Sequence, residues 1–122
     1  MGSNAALGGA RLTAVGVAQP NTVTFTCEGI PNGALCVYLR ATVNSATGFV
    51  HGDGVRCAAG SVSFFGQQRA GDGANPPNTT TSSTSTITPG STRWYQCRYR
   101  NSVPGYCTPD MFNMSNAYQI TW

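Results

Sequence analysis

Lysine is absent from this chain, histidine occurs once, and only four residues are acidic. Charged side chains make up 9% of the sequence, far below the roughly 25% of an average soluble domain. General acid–base chemistry draws on His, Asp, Glu, Lys, Tyr and Cys placed beside a substrate. Here the inventory of the commonest groups is one imidazole, His51, and the acids Glu28, Asp53, Asp72 and Asp110. No Gly-x-Ser-x-Gly nucleophile elbow is present. The poverty of such groups predicts that the protein is not an enzyme. A net charge of +3, with arginines dispersed apart from Arg93, Arg98 and Arg100, lacks the clustered basic stripe of a nucleic-acid binder. No stretch approaches the roughly 20 apolar residues of a membrane span, and the chain does not open on a signal-peptide pattern. Met1-Gly2-Ser3 reads as a cloning start, so any export signal is expected to have preceded it. The absence of lysine reads as a GC-rich coding background. Nothing in the sequence has the periodicity of a long helix.

What the chain has instead is Ser, Thr, Asn, Gln and Gly, the composition of sheets whose outer faces carry hydroxyls and amides. Five cysteines with one histidine, and no Cys-x-x-Cys spacing, point to disulfides in an oxidising compartment more than to zinc. The expected location is extracellular or at the cell surface. The odd count leaves one thiol over. A length of 122 residues fits one domain, expected over residues 11–122 behind a flexible Gly- and Ala-rich arm at 1–10.

Period-two alternation begins after Arg11 with Leu12 and Ala14 and continues at residues 22–27, where Val23, Phe25 and Cys27 are expected to face inward. Turn residues at 28–33 then suggest a hairpin into a strand at 34–42. Further strands are expected at 48–51, 55–66, 92–101 and 118–122, with 79–88 an exposed edge strand or a flexible tether and a long loop at 67–79 where Gly, Pro and Asn are dense. Seven or eight short strands with turns between them predict an all-β, antiparallel, disulfide-stapled sandwich.

The most suggestive chemistry lies in 93–100, together with Tyr106. Alternation places Tyr95, Cys97 and Tyr99 on one face and Trp94, Gln96, Arg98 and Arg100 on the other. The first set is expected in the core. The second is expected to form an exposed stripe for a protein partner or a sugar, with Arg covering aromatic faces as the plainer alternative. Gly-Asp-Gly occurs at 52–54 and again at 71–73, making Asp53 and Asp72 candidate calcium ligands, although each motif offers a single carboxylate. Asn78-Thr79-Thr80 and Asn113-Met114-Ser115 match glycosylation sequons.

Gly52-Asp53-Gly54-Val55-Arg56-Cys57-Ala58-Ala59-Gly60, Trp94-Tyr95-Gln96-Cys97-Arg98-Tyr99-Arg100-Asn101 and Phe112-Asn113-Met114-Ser115-Asn116-Ala117, with Leu12-Thr13-Ala14-Val15-Gly16 and Gly29-Ile30-Pro31-Asn32-Gly33 upstream, together resemble a C-terminal β-rich domain of large secreted proteins of planctomycetes and myxobacteria. That family has no assigned activity. Where it commonly has Trp followed by Tyr-Arg-Asp, this chain has Arg98 and ends on Asn101. The resemblance implies a first disulfide between Cys57 and Cys107, which would bring Asp53 and Asp110 near each other. Turn-forming Asp beside Gly and Pro accounts for both acids without catalysis. Among Cys27, Cys36 and Cys97, a bridge between Cys27 and Cys36 across the hairpin is expected, leaving Cys97 free, with the other pairings open. The bacterial likeness implies that neither sequon is used. Taken together, the expectation is a non-catalytic extracellular module for adhesion, envelope structure or assembly with other subunits, self-association included. The alternative is a carbohydrate-binding module on a larger secreted enzyme.

Overall fold

A computed structural model of the chain describes residues 9–18, 22–51, 54–73, 75–83, 88–100 and 112–122. Eight strands form there: β1 (Arg11–Val15), β2 (Thr24–Glu28), β3 (Leu35–His51), β4 (Gly54–Arg69), β5 (Thr79–Ser83), β6 (Thr92–Arg100), β7 (Phe112–Met114) and β8 (Tyr118–Thr121). No helix occurs among the described residues. Two antiparallel sheets result, one ordered β1-β2-β5 and one ordered β4-β3-β6-β7, with β8 also on β6. β7 and β8 share one edge: β7 pairs with Arg98–Arg100 and β8 with Thr92–Tyr95. Ser115 bridges the gap between them, its amide donating to the Cys97 carbonyl at 2.9 Å and its Oγ accepting from the Cys97 amide at 2.8 Å.

The all-β sandwich is thus as the alternation predicts, and Val23, Phe25 and Cys27 are all buried. Two details differ. The expected hairpin across residues 28–33 does not form, because β2 pairs with β1 and β5 while β3 pairs with β4 and β6. The turn residues carry the chain from one sheet to the other. Gly29 permits this with φ +77°, at a point where an added Cβ would run into the Gly9 carbonyl. Second, the strands are not all short. β3 and β4 are 17 and 16 residues and form one continuous ribbon. Register shifts at Tyr38/Leu39, Ala41/Val43 and Asn44/Phe49 break its alternation, as bulges do.

The core between the sheets is aromatic. Phe25 from the smaller sheet meets Tyr95 (centroids 4.6 Å) and Phe65 (5.5 Å), and Tyr95 meets Trp122 at 6.3 Å. Burial of each such ring removes enough apolar surface to stabilise by about 2–3 kcal/mol. Their polar ends are paired: the Tyr38 hydroxyl lies 2.6 Å from Thr80 Oγ1, and the Trp122 indole N–H donates to the Tyr95 hydroxyl at 2.8 Å. Ala10 already belongs to this core. At the sheet edge Asn116 imitates a strand, its Oδ1 accepting from the Leu12 amide (2.7 Å) and its Nδ2 donating to the Leu12 carbonyl (3.1 Å). That pair ties β1 to the larger sheet.

Candidate functional site: the outer face of the five-stranded sheet

Only Cys36–Ala41 of β3 pair with β6, so the remainder of the ribbon lies beyond the sheet's width. It bends at Thr42, whose Oγ1 accepts from the Ser61 amide opposite at 3.0 Å, and it does not hang free. Gln96, pointing away from the core, accepts from the amides of Cys57 (3.0 Å) and Ala58 (3.2 Å) and donates to the Ser115 carbonyl at 2.7 Å. The distal ribbon is therefore latched across part of the outer face. Beneath it Leu39, Ala41, Ala58, Met114 and Gln96 are buried, apart from the main aromatic core.

The other part of the same face is open. There Phe64 is 62% exposed, and the Arg98 guanidinium carbon lies 5.7 Å from the Phe64 centroid and 5.5 Å from that of Phe112. An arginine between two rings gains cation–π attraction while leaving its N–H groups to solvent or a partner. Depressions of about 370 Å³ and about 470 Å³ flank it, the first lined by Leu35, Val37, Arg100 and Phe112, the second by Val37, Phe64 and Gln67. A third, of about 570 Å³, continues past Leu35 to Arg69 and Arg100. Arg69 donates from one guanidinium nitrogen to the Gly33 carbonyl at 3.2 Å. Three arginines and two phenylalanines thus share this open face.

The expected stripe of Trp94, Gln96, Arg98 and Arg100 is accordingly divided. Arg98 and Arg100 stand at the open end, the latter exposed, and Trp94 is half-buried. Gln96 corrects the expectation: it is 1% exposed and spends its amide on the ribbon. Phe64 and Phe112, which complete the open end, carry no individual signal in the sequence; only the β4–β3–β6–β7 pairing brings them to Arg98. The opposite set, Tyr95, Cys97 and Tyr99, is inward as expected.

The cysteines also differ from expectation. The disulfide joins Cys36 to Cys97 (Cα atoms 6.5 Å apart), not Cys27 to Cys36, and Cys97 is not the free one. Register explains it: Cys36 lies opposite Tyr99 and Cys97 opposite Tyr38, so two Cys-x-Tyr segments run antiparallel with both sulfurs on the inner face. Cys27 is a buried free thiol, its pKa pushed up to about 12 by burial and by neighbouring Glu28. Burial likewise holds the Tyr38 and Tyr95 hydroxyls above the usual phenol range. Cys57 is half-buried and free, and its expected partner Cys107 lies outside the described residues.

Asp72 sits exposed in the turn after β4, while Asp53, Tyr106, Asp110 and the His51 side chain lie outside the described residues. The one cluster of three metal-ligating side chains among the described residues is Cys27, Cys36 and Cys97, of which two are already bonded to each other. Of the two sequons, Asn113 is fully buried, and Asn78 takes φ 63° with its Nδ2 donating to the Ile30 carbonyl at 2.9 Å. No helix among the described residues is long and apolar enough to cross a membrane. The chain matches no protein-family model, and no curated protein and no solved structure matches it.

Proposed function

We propose that this domain is a non-catalytic module of an exported protein, acting in adhesion or assembly by docking a protein partner on the open part of its five-stranded sheet. The observation that supports the reading is the Arg98 guanidinium held between Phe64 and Phe112 and flanked by Leu35, Val37, Arg69 and Arg100. Aromatic residues and Arg around an apolar centre are the composition of protein interfaces. The buried Cys36–Cys97 disulfide and the low charge content favour an oxidising location outside the cytosol. Three arginines on one face oppose a face-to-face pair of copies. They favour a head-to-tail contact with a different surface, for which the exposed acids among the described residues are Glu28 and Asp72; such contacts build rings or open filaments. The carbohydrate reading is weakened by Gln96, whose amide is occupied inside the fold.

Sedimentation velocity over a wide concentration range, with electron microscopy of the most concentrated sample, tests this. Association is expected in the wild type and a tenfold or greater weakening in Arg98→Glu. A protein that stays monomeric throughout, with no assembled particles, removes the assembly reading. Binding on a glycan array that Phe64→Ala abolishes transfers the face to the carbohydrate reading.

A further inference from the structure

Three sulfurs from three strands meet in the core. Cys36 of β3 and Cys97 of β6 are bonded within the larger sheet, and the Cys27 thiol reaches them from β2 in the smaller one. All three Sγ atoms lie within 4.8 Å of one another, and none of the three residues has measurable exposure. The existing bond joins strands that backbone hydrogen bonds already hold together. A bond from Cys27 to Cys97 would cross from one sheet to the other while closing a chain loop of similar length. A bond from Cys27 to Cys36 would close only a short one, which constrains the unfolded chain far less.

We infer that Cys27, Cys36 and Cys97 form an internal thiol–disulfide exchange site that moves the disulfide from within one sheet to between the two. The Cys27 thiolate attacks Cys97 Sγ, the Cys27–Cys97 bond forms as the Cys36–Cys97 bond breaks, and the electron pair leaves on Cys36 Sγ. Cys36 then takes up the proton that Cys27 released. The step is redox-neutral and needs neither oxidant nor reductant. Exchange proceeds through the thiolate, which burial makes scarce at neutral pH. Around the thiol stand Glu28, next in the chain, and Tyr38 across the core, whose own ionisation burial also holds back. The site is therefore at rest near pH 7 and is released by alkali or by any opening of the core. This inference does not depend on the docking face.

The test is to hold the purified chain at pH 7, 8, 9 and 9.5 in native buffer, with the fold followed by circular dichroism. Aliquots are quenched in acid, digested with pepsin and mapped for disulfide-linked peptides by mass spectrometry. Near pH 7 the expected linkage among Cys27, Cys36 and Cys97 is Cys36–Cys97. Above it a Cys27–Cys97 peptide should grow at a rate rising about tenfold per pH unit, with thiolate population. Cys27→Ser should abolish that peptide, and Cys57→Ser should leave it unchanged. Cys36–Cys97 as the sole linkage among these three cysteines at every pH, with the fold retained, overturns the inference. As a second route, folded Cys36→Ser oxidised with glutathione disulfide should form Cys27–Cys97. Folded Cys36→Ser that keeps both sulfurs unjoined to each other overturns it equally.

Discussion

The two faces of β6 use the same backbone for opposite purposes. Inward, Tyr95, Cys97 and Tyr99 are buried among Phe25, Tyr38 and Trp122, and each polar tip the core admits is paired or un-ionised. Outward, the strand is half sealed and half open: Gln96 is latched under the distal ribbon, while Arg98 and Arg100 face solvent with Phe64 and Phe112. The contrast teaches that exposure on this sheet is decided by how far the β3–β4 ribbon reaches across it, not by residue polarity. A glutamine is buried and a phenylalanine is exposed on the same face.

The inner face should be the part that alkali breaks first. The Cys27 pKa is 9.0 for an ordinary thiol and about 12 in the fold. A group whose folded value is raised contributes its stability fully below the unfolded value and loses it as pH rises towards the folded one. Unfolding free energy, measured by urea titration, should thus be flat to about pH 9. It should then fall by about 1.4 kcal/mol per pH unit from this group alone, for a total on the order of 4 kcal/mol by pH 12. Tyr38 and Tyr95 steepen the decline above pH 10, being shifted in the same direction. In Cys27→Ser the decline should begin near pH 10 instead of 9. If the two proteins decline together from pH 9, the thiol is not held in the environment described.

The sealed half of the outer face should come next. Gln96→Ala removes the acceptor for two amides and the donor for the Ser115 carbonyl in a site closed to solvent. Buried polar groups left without partners cost about 1–3 kcal/mol each, so a loss on the order of 3 kcal/mol is expected in urea unfolding. Faster hydrogen exchange at the Cys57 and Ala58 amides should accompany it. A loss under about 1 kcal/mol would mean that the ribbon is not latched there, and the division of the outer face would fail with it.

Why some of this was legible in the sequence and some was not follows from the range of the interactions. The inward runs Val23, Phe25, Cys27 and Tyr95, Cys97, Tyr99 are local period-two patterns, and a strand with one buried face imposes them directly. The ribbon was not legible as one element, because its bulges interrupt the alternation and Val43-Asn44-Ser45-Ala46-Thr47 does not alternate polar with apolar. Since Gln96 is covered by that ribbon, its burial could not be read either. Pairing of the cysteines depended on β3 lying beside β6, a contact across 61 residues of sequence. The repeated Cys-x-Tyr of 36–38 and 97–99 is the one local sign of it, since both cysteines alternate with a tyrosine and so share that residue's face.

The open half of the outer face should be the least sensitive to substitution in stability and the most sensitive in binding. Arg98 touches its neighbours mainly through ring faces that remain partly in water, where a cation–π contact is worth about 0.5–1 kcal/mol. Arg98→Ala should therefore lower unfolding free energy by no more than about 1 kcal/mol, several times less than Gln96→Ala two residues away on the same strand and the same face. A loss of 2 kcal/mol or more would make Arg98 a structural brace that holds Phe64 and Phe112 in place, and the open face would then be part of the fold's packing. A small loss, together with weakened association in Arg98→Glu, would assign the guanidinium a role in binding beyond its contact with the two rings: it is presented to a partner already ordered, at a lower cost in side-chain entropy than a free arginine would carry.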